Sequence, residues 1–252
     1  MPLFSKSKNK RGAEIPQCTA VIAAGGASAR MSGADKLFIE VCGAPVLAHT
    51  LRAFEHCPLV SEIIVVARTE MLERAAGICA EHGIAKAGRV IAGGDTRFDS
   101  VYNGVFAVSD ESGLIAIHDG ARPCVGARVI ELAVKAAAKH HAAVPAIPVS
   151  STVKRAAGGI VNETVSREGL FEIQTPQVFD ADLIKAALTK ALKIKGAGAL
   201  NELTDDCMAV EMLGVPVYIS EGSRINIKIT TQEDILLAEA FLAGTQIDSH
   251  FK

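Results

Sequence analysis

Tryptophan is absent from this 252-residue chain, and aromatic residues of all kinds make up only 4% of it. A core must then be aliphatic, and at 49% hydrophobic the chain has the material for one. An excess of either charge is missing too: 26 Lys and Arg stand against 28 Asp and Glu, and the pI is near 6.4. Such a chain has no global field for gripping nucleic acid or an anionic membrane, so neither is expected as a partner. Any anionic ligand must be held by a local cluster of cations. The six cysteines form no C-x-x-C pair, and the seven histidines form no H-x-x-x-H or mixed His/Cys cluster. That argues against a zinc site or a disulfide framework. Reduced thiols in a cytoplasmic protein are the default.

Long hydrophobic runs are also lacking, although the mean hydropathy is +0.29. The charge-free stretch near the start, Ile15 to Ala29, is shorter than the roughly 20 residues a membrane span needs and contains Pro16 and Gln17. Lys6, Lys8, Lys10 and Arg11 precede a weak apolar run that has no leucine and is interrupted by Glu14 and Pro16. Residues 1–17 are therefore expected to be a disordered basic leader, not a secretory signal.

What the chain does have is alternation. Thr19–Ala24, Glu62–Ala67, Val90–Ala92, Leu114–His118 and Ala143–Pro148 are continuous apolar runs, the pattern of strands buried on both faces. Helical patterns lie between them near Pro45–His56, Thr69–His82, Arg97–Val108 and Gly126–His141. Repeated βαβ units of this kind predict an α/β, Rossmann-like doubly wound sheet, mostly parallel. From about 150 to 175 the pattern breaks. Thr152–Arg155, a Gly158-Gly159 turn, Ile160–Thr164 and Leu170–Gln174 predict an inserted β-arm. Helices at Asp180–Ile194, Asp205–Leu213 and Gln232–Leu242 and a strand at Val217–Ser220 complete a single domain over 18–243, with 244–252 as a tail.

Three loops after strands carry unusual chemistry, and the carboxyl edge of such a sheet is where ligands bind. The first is Ala24-Gly25-Gly26-Ala27-Ser28-Ala29-Arg30-Met31, with Lys36 six residues after Arg30. Glycines let backbone N–H groups approach phosphates, although this is neither G-x-G-x-x-G nor the Walker pattern. Two cations in one such loop suit a triphosphate; solvated surface charges are the alternative. The second loop is Gly93-Gly94-Asp95-Thr96-Arg97-Phe98-Asp99-Ser100, where Asp95 or Thr96 could simply cap a helix. The third is His118-Asp119-Gly120-Ala121-Arg122-Pro123. Its acid could hold a metal ion or a ribose hydroxyl, or pair with Arg122. Further on, Thr204-Asp205-Asp206 reads as a helix cap, and Lys228 lies between apolar neighbours, free to snorkel outward or to point inward. Cys207, beside Asp206, is either reactive or packed.

Taken in order, A-G-G-x-x-x-R-M, G-G-D-x-R-x-x-S-V-x-N-G, H-D-x-A-R-P, T-P-Q, T-D-D-x-x-A-V-E and N-I-K-I-T resemble the 2-C-methyl-D-erythritol 4-phosphate cytidylyltransferases of the non-mevalonate isoprenoid pathway, from about Thr19 to Leu242. The resemblance implies that Arg30, Lys36 and Lys228 surround the triphosphate and the phosphorus under attack. It implies that Ala24, Gly25, Gly26 and Gly94, with Asp95 and Ser100, bind the nucleotide. Asp119, Arg122, Thr175 and Thr204 would face the polyol phosphate. Thr152 and Arg167, on the arm, would reach that substrate in the partner subunit of a homodimer. CTP, a polyol phosphate and Mg²⁺ held mainly by the CTP phosphates are the implied ligands. Ribitol 5-phosphate, or another sugar phosphate, is the alternative acceptor. One departure is Asp35, where the family usually has proline before the loop lysine. The chemistry is coherent without a catalytic base: a phosphate monoester has its second pKa near 6 and is largely ionised at neutral pH. The step needs alignment and charge neutralisation instead.

Overall fold

A computed structural model describes residues 15–25, 35–196 and 203–250. The continuous apolar runs become the inner strands: β1 (Cys18–Ala24), β4 (Val60–Ala67), β5 (Arg89–Ala92), β6 (Leu114–Asp119) and β7 (Ala142–Pro148). Between β1 and β4 lie a small ribbon, β2 (Glu40–Val41) with β3 (Ala44–Pro45), and helix α1 (Val46–Glu55). Then come α2 (Leu72–Glu81), α3 (Arg97–Ala107) and α4 (Ala127–His140). The second half holds β8 (Val153–Ala157), β9 (Ile160–Val165), β10 (Phe171–Ile173), β11 (Gln177–Asp180), α5 (Ala181–Gly196), α6 (Cys207–Glu211), β12 (Tyr218–Glu221) and α7 (Gln232–His250).

Burial on both faces explains the runs. Along β1, Ala20, Ile22 and Ala24 pack with α1, α2, α4 and α7, whereas Val21 faces the opposite layer of α3, α5 and α6. Gly104 lets α3 lie close, since a Cβ there would stand 2.4 Å from a Val21 methyl. The strands β6, β1, β4 and β5 are neighbours in that order and all parallel. The sheet is thus the mostly parallel, doubly wound one expected.

The differences lie in the second half. Just past the expected end of the arm, Gln177 opens β11, which runs antiparallel between β6 and β7. Leu170–Gln174 leaves the arm, since β10 pairs with β7. Ala143 pairs with both Val178 and Tyr218, and Ala146 with both Ile173 and Glu221. A strand has two sides, so β10 and β11 divide one side of β7 while β12 takes the other. The arm itself is the hairpin β8–β9, paired only with itself and turning at Gly158 and Gly159, both at positive φ. The last helix runs past Leu242 to His250, so 244–250 are helical rather than a tail. Of the expected leader, residues 1–14 lie outside the described residues; Gln17 belongs to the domain, its carbonyl accepting from the N–H groups of Gly113 and Leu114. Among the described residues no helix is long and apolar enough to cross a membrane.

Candidate active site

The carboxyl ends of β1, β5 and β6 deliver the three loops to one edge. Ser100, on the first turn of α3, sits where the glycines make room. Its Oγ accepts from the Gly94 N–H at 3.1 Å, and a Cβ on Gly93 or Gly25 would stand 2.5 or 3.1 Å from that oxygen. The helix behind it is fixed by a capping box between Thr96 and Asp99, an arrangement worth about 1 kcal/mol. The cap is therefore Thr96; Asp95 is exposed.

Asp119 ends β6 and is buried among cations. Lys228 Nζ lies 2.8 Å from its Oδ2, Arg97 Nε donates to Oδ1 at 3.2 Å, and Arg122 Nε stands 3.7 Å from Oδ2. Burial alone would raise this carboxyl's pKa, but Arg97 and Lys228 overrule it and hold Asp119 well below the usual carboxylate range. Arg97 also grips Asp206 bidentately, Nη1 to Oδ1 at 3.0 Å and Nη2 to Oδ2 at 2.8 Å. Burial works against its charge, yet the two carboxylates outweigh burial and keep Arg97 protonated. Lys228 thus points inward. Its segment forms no strand and is held by the Ile229 N–H donating to Ala121 O.

A second network lies behind. Asn226, fully buried, donates from Nδ2 to Thr175 O at 2.9 Å and to Gln174 Oε1 at 3.3 Å, while its carbonyl accepts from Arg122 Nη1 at 2.7 Å. Thr175 Oγ1 accepts from the Asp119 N–H and lies 2.9 Å from His118 Nδ1. Gln177 Oε1 accepts from the N–H groups of Asp206 and Cys207 and so anchors the start of α6. Cys207 is packed: burial, with Asp205 and Asp206 adding to it, pushes its thiol far up.

Two cavities result. One, of about 290 Å³, is lined by Gly25, Lys36, Ser100, Arg97, Asp119 and Lys228 among others. The other, of about 340 Å³, is lined by Arg122, Thr175, Thr204, Arg97, Asp119 and Lys228 among others. Arg97, Asp119 and Lys228 form the wall that both share. The sequence-derived nucleotide residues Gly25, Lys36 and Ser100 fall in the first cavity, with Ala24 at its strand end and Gly94 bonded to Ser100. Asp119, Arg122, Thr175 and Thr204 fall in the second. Thr204 is exposed, and its hydroxyl lies 3.1 Å from Met208 Sδ. Thr152 and Arg167 line neither cavity; both are exposed, with Arg167 Nη1 bonded to Ser150 O. Gly26 and Arg30 lie outside the described residues. Sequence reasoning assigned Arg97 no place in the site, although its motif contained it. Asn226, Gln174, Gln177 and His118 were missed as well.

A family model described as 2-C-methyl-D-erythritol 4-phosphate cytidylyltransferase matches residues 18–244. The curated protein of that name from Halalkalibacterium halodurans is 45% identical over 224 residues, which are 88% of this chain and 96% of the relative. Among solved structures, 4-diphosphocytidyl-2C-methyl-D-erythritol synthase from Anaerococcus prevotii superposes with a TM-score of 0.78 at 32% identity, covering 90% of this chain and 96% of its own. The 2-C-methyl-D-erythritol 4-phosphate cytidylyltransferase from Thermus thermophilus gives 0.73 at 32% identity, covering 88% and 98%. On this likeness over nearly its whole length, the chain belongs to the 2-C-methyl-D-erythritol 4-phosphate cytidylyltransferase family.

Proposed function

We propose that this enzyme transfers the cytidylyl group of CTP to 2-C-methyl-D-erythritol 4-phosphate, releasing pyrophosphate, in the synthesis of isoprenoid precursors. The observation that carries the reading is the pair of cavities sharing Arg97, Asp119 and Lys228. Two phosphorylated substrates must meet at one phosphorus, and a common cationic wall is where that can happen. CTP takes the Gly25–Ser100 cavity, with Gly94 and Asp95 beside its base and Lys36 and Arg30 on its phosphates. The acceptor takes the Arg122–Thr175–Thr204 cavity. An ionised oxygen of the acceptor's phosphate attacks the α-phosphorus; the new P–O bond forms as the bond to the β-phosphate oxygen breaks, and the electron pair leaves with pyrophosphate. Lys36 and Lys228 counter charge on the α-phosphate, and Arg122 orients the incoming monoester. Asp119 is the positioning partner for Lys228 and Arg97.

Mg²⁺ belongs with this chemistry, held mainly by CTP phosphate oxygens. Asp119 is the carboxylate common to both cavities, but its two oxygens already hold Lys228 and Arg97, so the ion would rest chiefly on the phosphates. When bound, the ion would neutralise phosphate charge. The chain acts as a homodimer joined through the β-arm, which brings Thr152 and Arg167 to the partner's acceptor. A cytoplasmic location is supported by six free cysteines, five of them buried.

Pyrophosphate release with CTP and Mg²⁺ tests the reading, with methylerythritol 4-phosphate and ribitol 5-phosphate offered in parallel. A strong preference for the first is expected. Preference for ribitol 5-phosphate would reassign the acceptor cavity, and release with neither would overturn the reaction.

A further inference from the structure

Asp35 and Arg68 lie outside the roles given so far, and their contact bears on Lys36. Chain leaves the sheet at Gly25, and Asp35 is where the described chain resumes. Arg68 follows Ala67, whose strand partners are Ala24 of β1 and Ala92 of β5. It therefore stands on the same edge as Gly25; a Cβ on that glycine would be 3.9 Å from the Arg68 nitrogen. From there Arg68 Nη2 reaches Asp35 Oδ2 at 2.5 Å, with the Asp35 side chain only 8% exposed. The other oxygen of Asp35 accepts from the Leu37 N–H at 3.2 Å and caps the short turn Lys36–Phe38, whose Leu37 and Phe38 are buried in the core.

Lys36 is thus the one residue between an anchored carboxylate and two core side chains. Its Nζ donates to Ile229 O at 2.8 Å, beside Lys228. A lysine has a long flexible stem, so where its backbone is fixed decides where the ammonium group can reach. We propose that Arg68 and Asp35 form a latch that sets Lys36 in the nucleotide cavity, making both of them positioning residues for cytidylyl transfer. Arg68 has a second effect. It engages the carboxylate next in sequence to Lys36, so that the charge of Asp35 is not left to draw the ammonium away from phosphate. The inference rests on the assignment of Lys36 to the triphosphate.

The test compares Lys36→Ala, Arg68→Met and the double variant Arg68→Met/Asp35→Asn in steady-state kinetics, with thermal unfolding alongside. Arg68→Met is expected to lower kcat by roughly 10- to 100-fold with the KM for CTP close to the parent, and to lower the unfolding midpoint, because the Asp35 carboxylate, 8% exposed, is left without its partner. The double variant should recover part of that loss, because removing the unpaired charge relieves the competition for Lys36. A parental kcat in Arg68→Met overturns the latch if Lys36→Ala still loses activity, and a double variant no better than the single one overturns the second, charge-screening effect of Arg68. A parental kcat in Lys36→Ala itself would instead sink the assignment on which the latch depends.

Discussion

His118 shows how far one side chain can be removed from water without leaving the chemistry. It is fully buried, its ring centroid is 4.8 Å from that of Phe54, and its Nδ1 meets the hydroxyl of Thr175. Burial above all pushes its pKa down from 6.5 to about 3, with the neighbouring Asp119 opposing this only in part. The unfolded chain would take up a proton near 6.5 and the native chain only near 3, so acid favours the unfolded state throughout that window. Asp119 acts lower, because its native carboxyl is depressed below the ordinary 3.8 and its contribution is lost only under that pH. Urea midpoints between pH 6.5 and 4 should therefore fall with acid. In His118→Phe, less stable at pH 7 for want of the Thr175 contact, the fall should be shallower. Equal slopes in parent and variant would mean that His118 is not the group that titrates. At this scale the sequence was uneven. Asp119, Arg122 and Lys36 were legible because strand-end loops concentrate charge. Arg97 was not: a cation in the first turn of a helix reads as solvated, and its partners are 22 and 109 residues away.

The segment after β12 has no regular structure, yet it carries Lys228, so something other than a backbone ladder must hold it. Gln174 does this at one end, with Oε1 accepting from the Ser223 N–H and Nε2 donating to Ser223 O. Asn226 does it nearer the lysine, its side chain fastening Thr175 and Gln174 while its backbone carbonyl holds Arg122. Asn226→Ala should cost about 1–3 kcal/mol through the lost buried hydrogen bonds. It should also raise the KM for the polyol phosphate and lower kcat, each by roughly tenfold, with little change in the KM for CTP. An equal rise in the KM for CTP would move its influence to the nucleotide side. The regular elements were legible within a few residues, because continuous apolar runs and amphipathic stretches of this length have few other readings. Three short strands were not: the two-residue β2 and β3 and the four-residue β11 are too short to show a period, and β10, although read as extended, was assigned to the arm. The full length of α7 was hidden too, since its apolar residues do not gather on one face.

For the molecule as a whole, the arm is the element with least to pack against in its own chain. Residues of β8 and β9 are almost all exposed, Ile160 at 72% and Val161 at 58%, and an isolated two-stranded hairpin is marginal in water. Leu170, Phe171 and Ile173, where the chain returns to the sheet, are also exposed. The homodimer proposed above would cover such surfaces reciprocally, each arm lying on the other subunit. Thr152 and Arg167 fit that arrangement, since they line neither cavity of their own chain. Exchange makes a specific demand on mixed dimers of Arg167→Ala with Lys228→Ala. One site would combine an intact Lys228 with the partner's intact Arg167, and the other would lose both residues. The mixed dimer should therefore regain about half the parental activity, although each variant alone is poor. If Arg167 instead served its own chain, each site would carry one lesion and mixing would restore nothing. The recovery also separates the arm's role in binding from its role in assembly: size measurements on Arg167→Ala should still give a dimer, while the KM for the polyol phosphate rises and that for CTP does not.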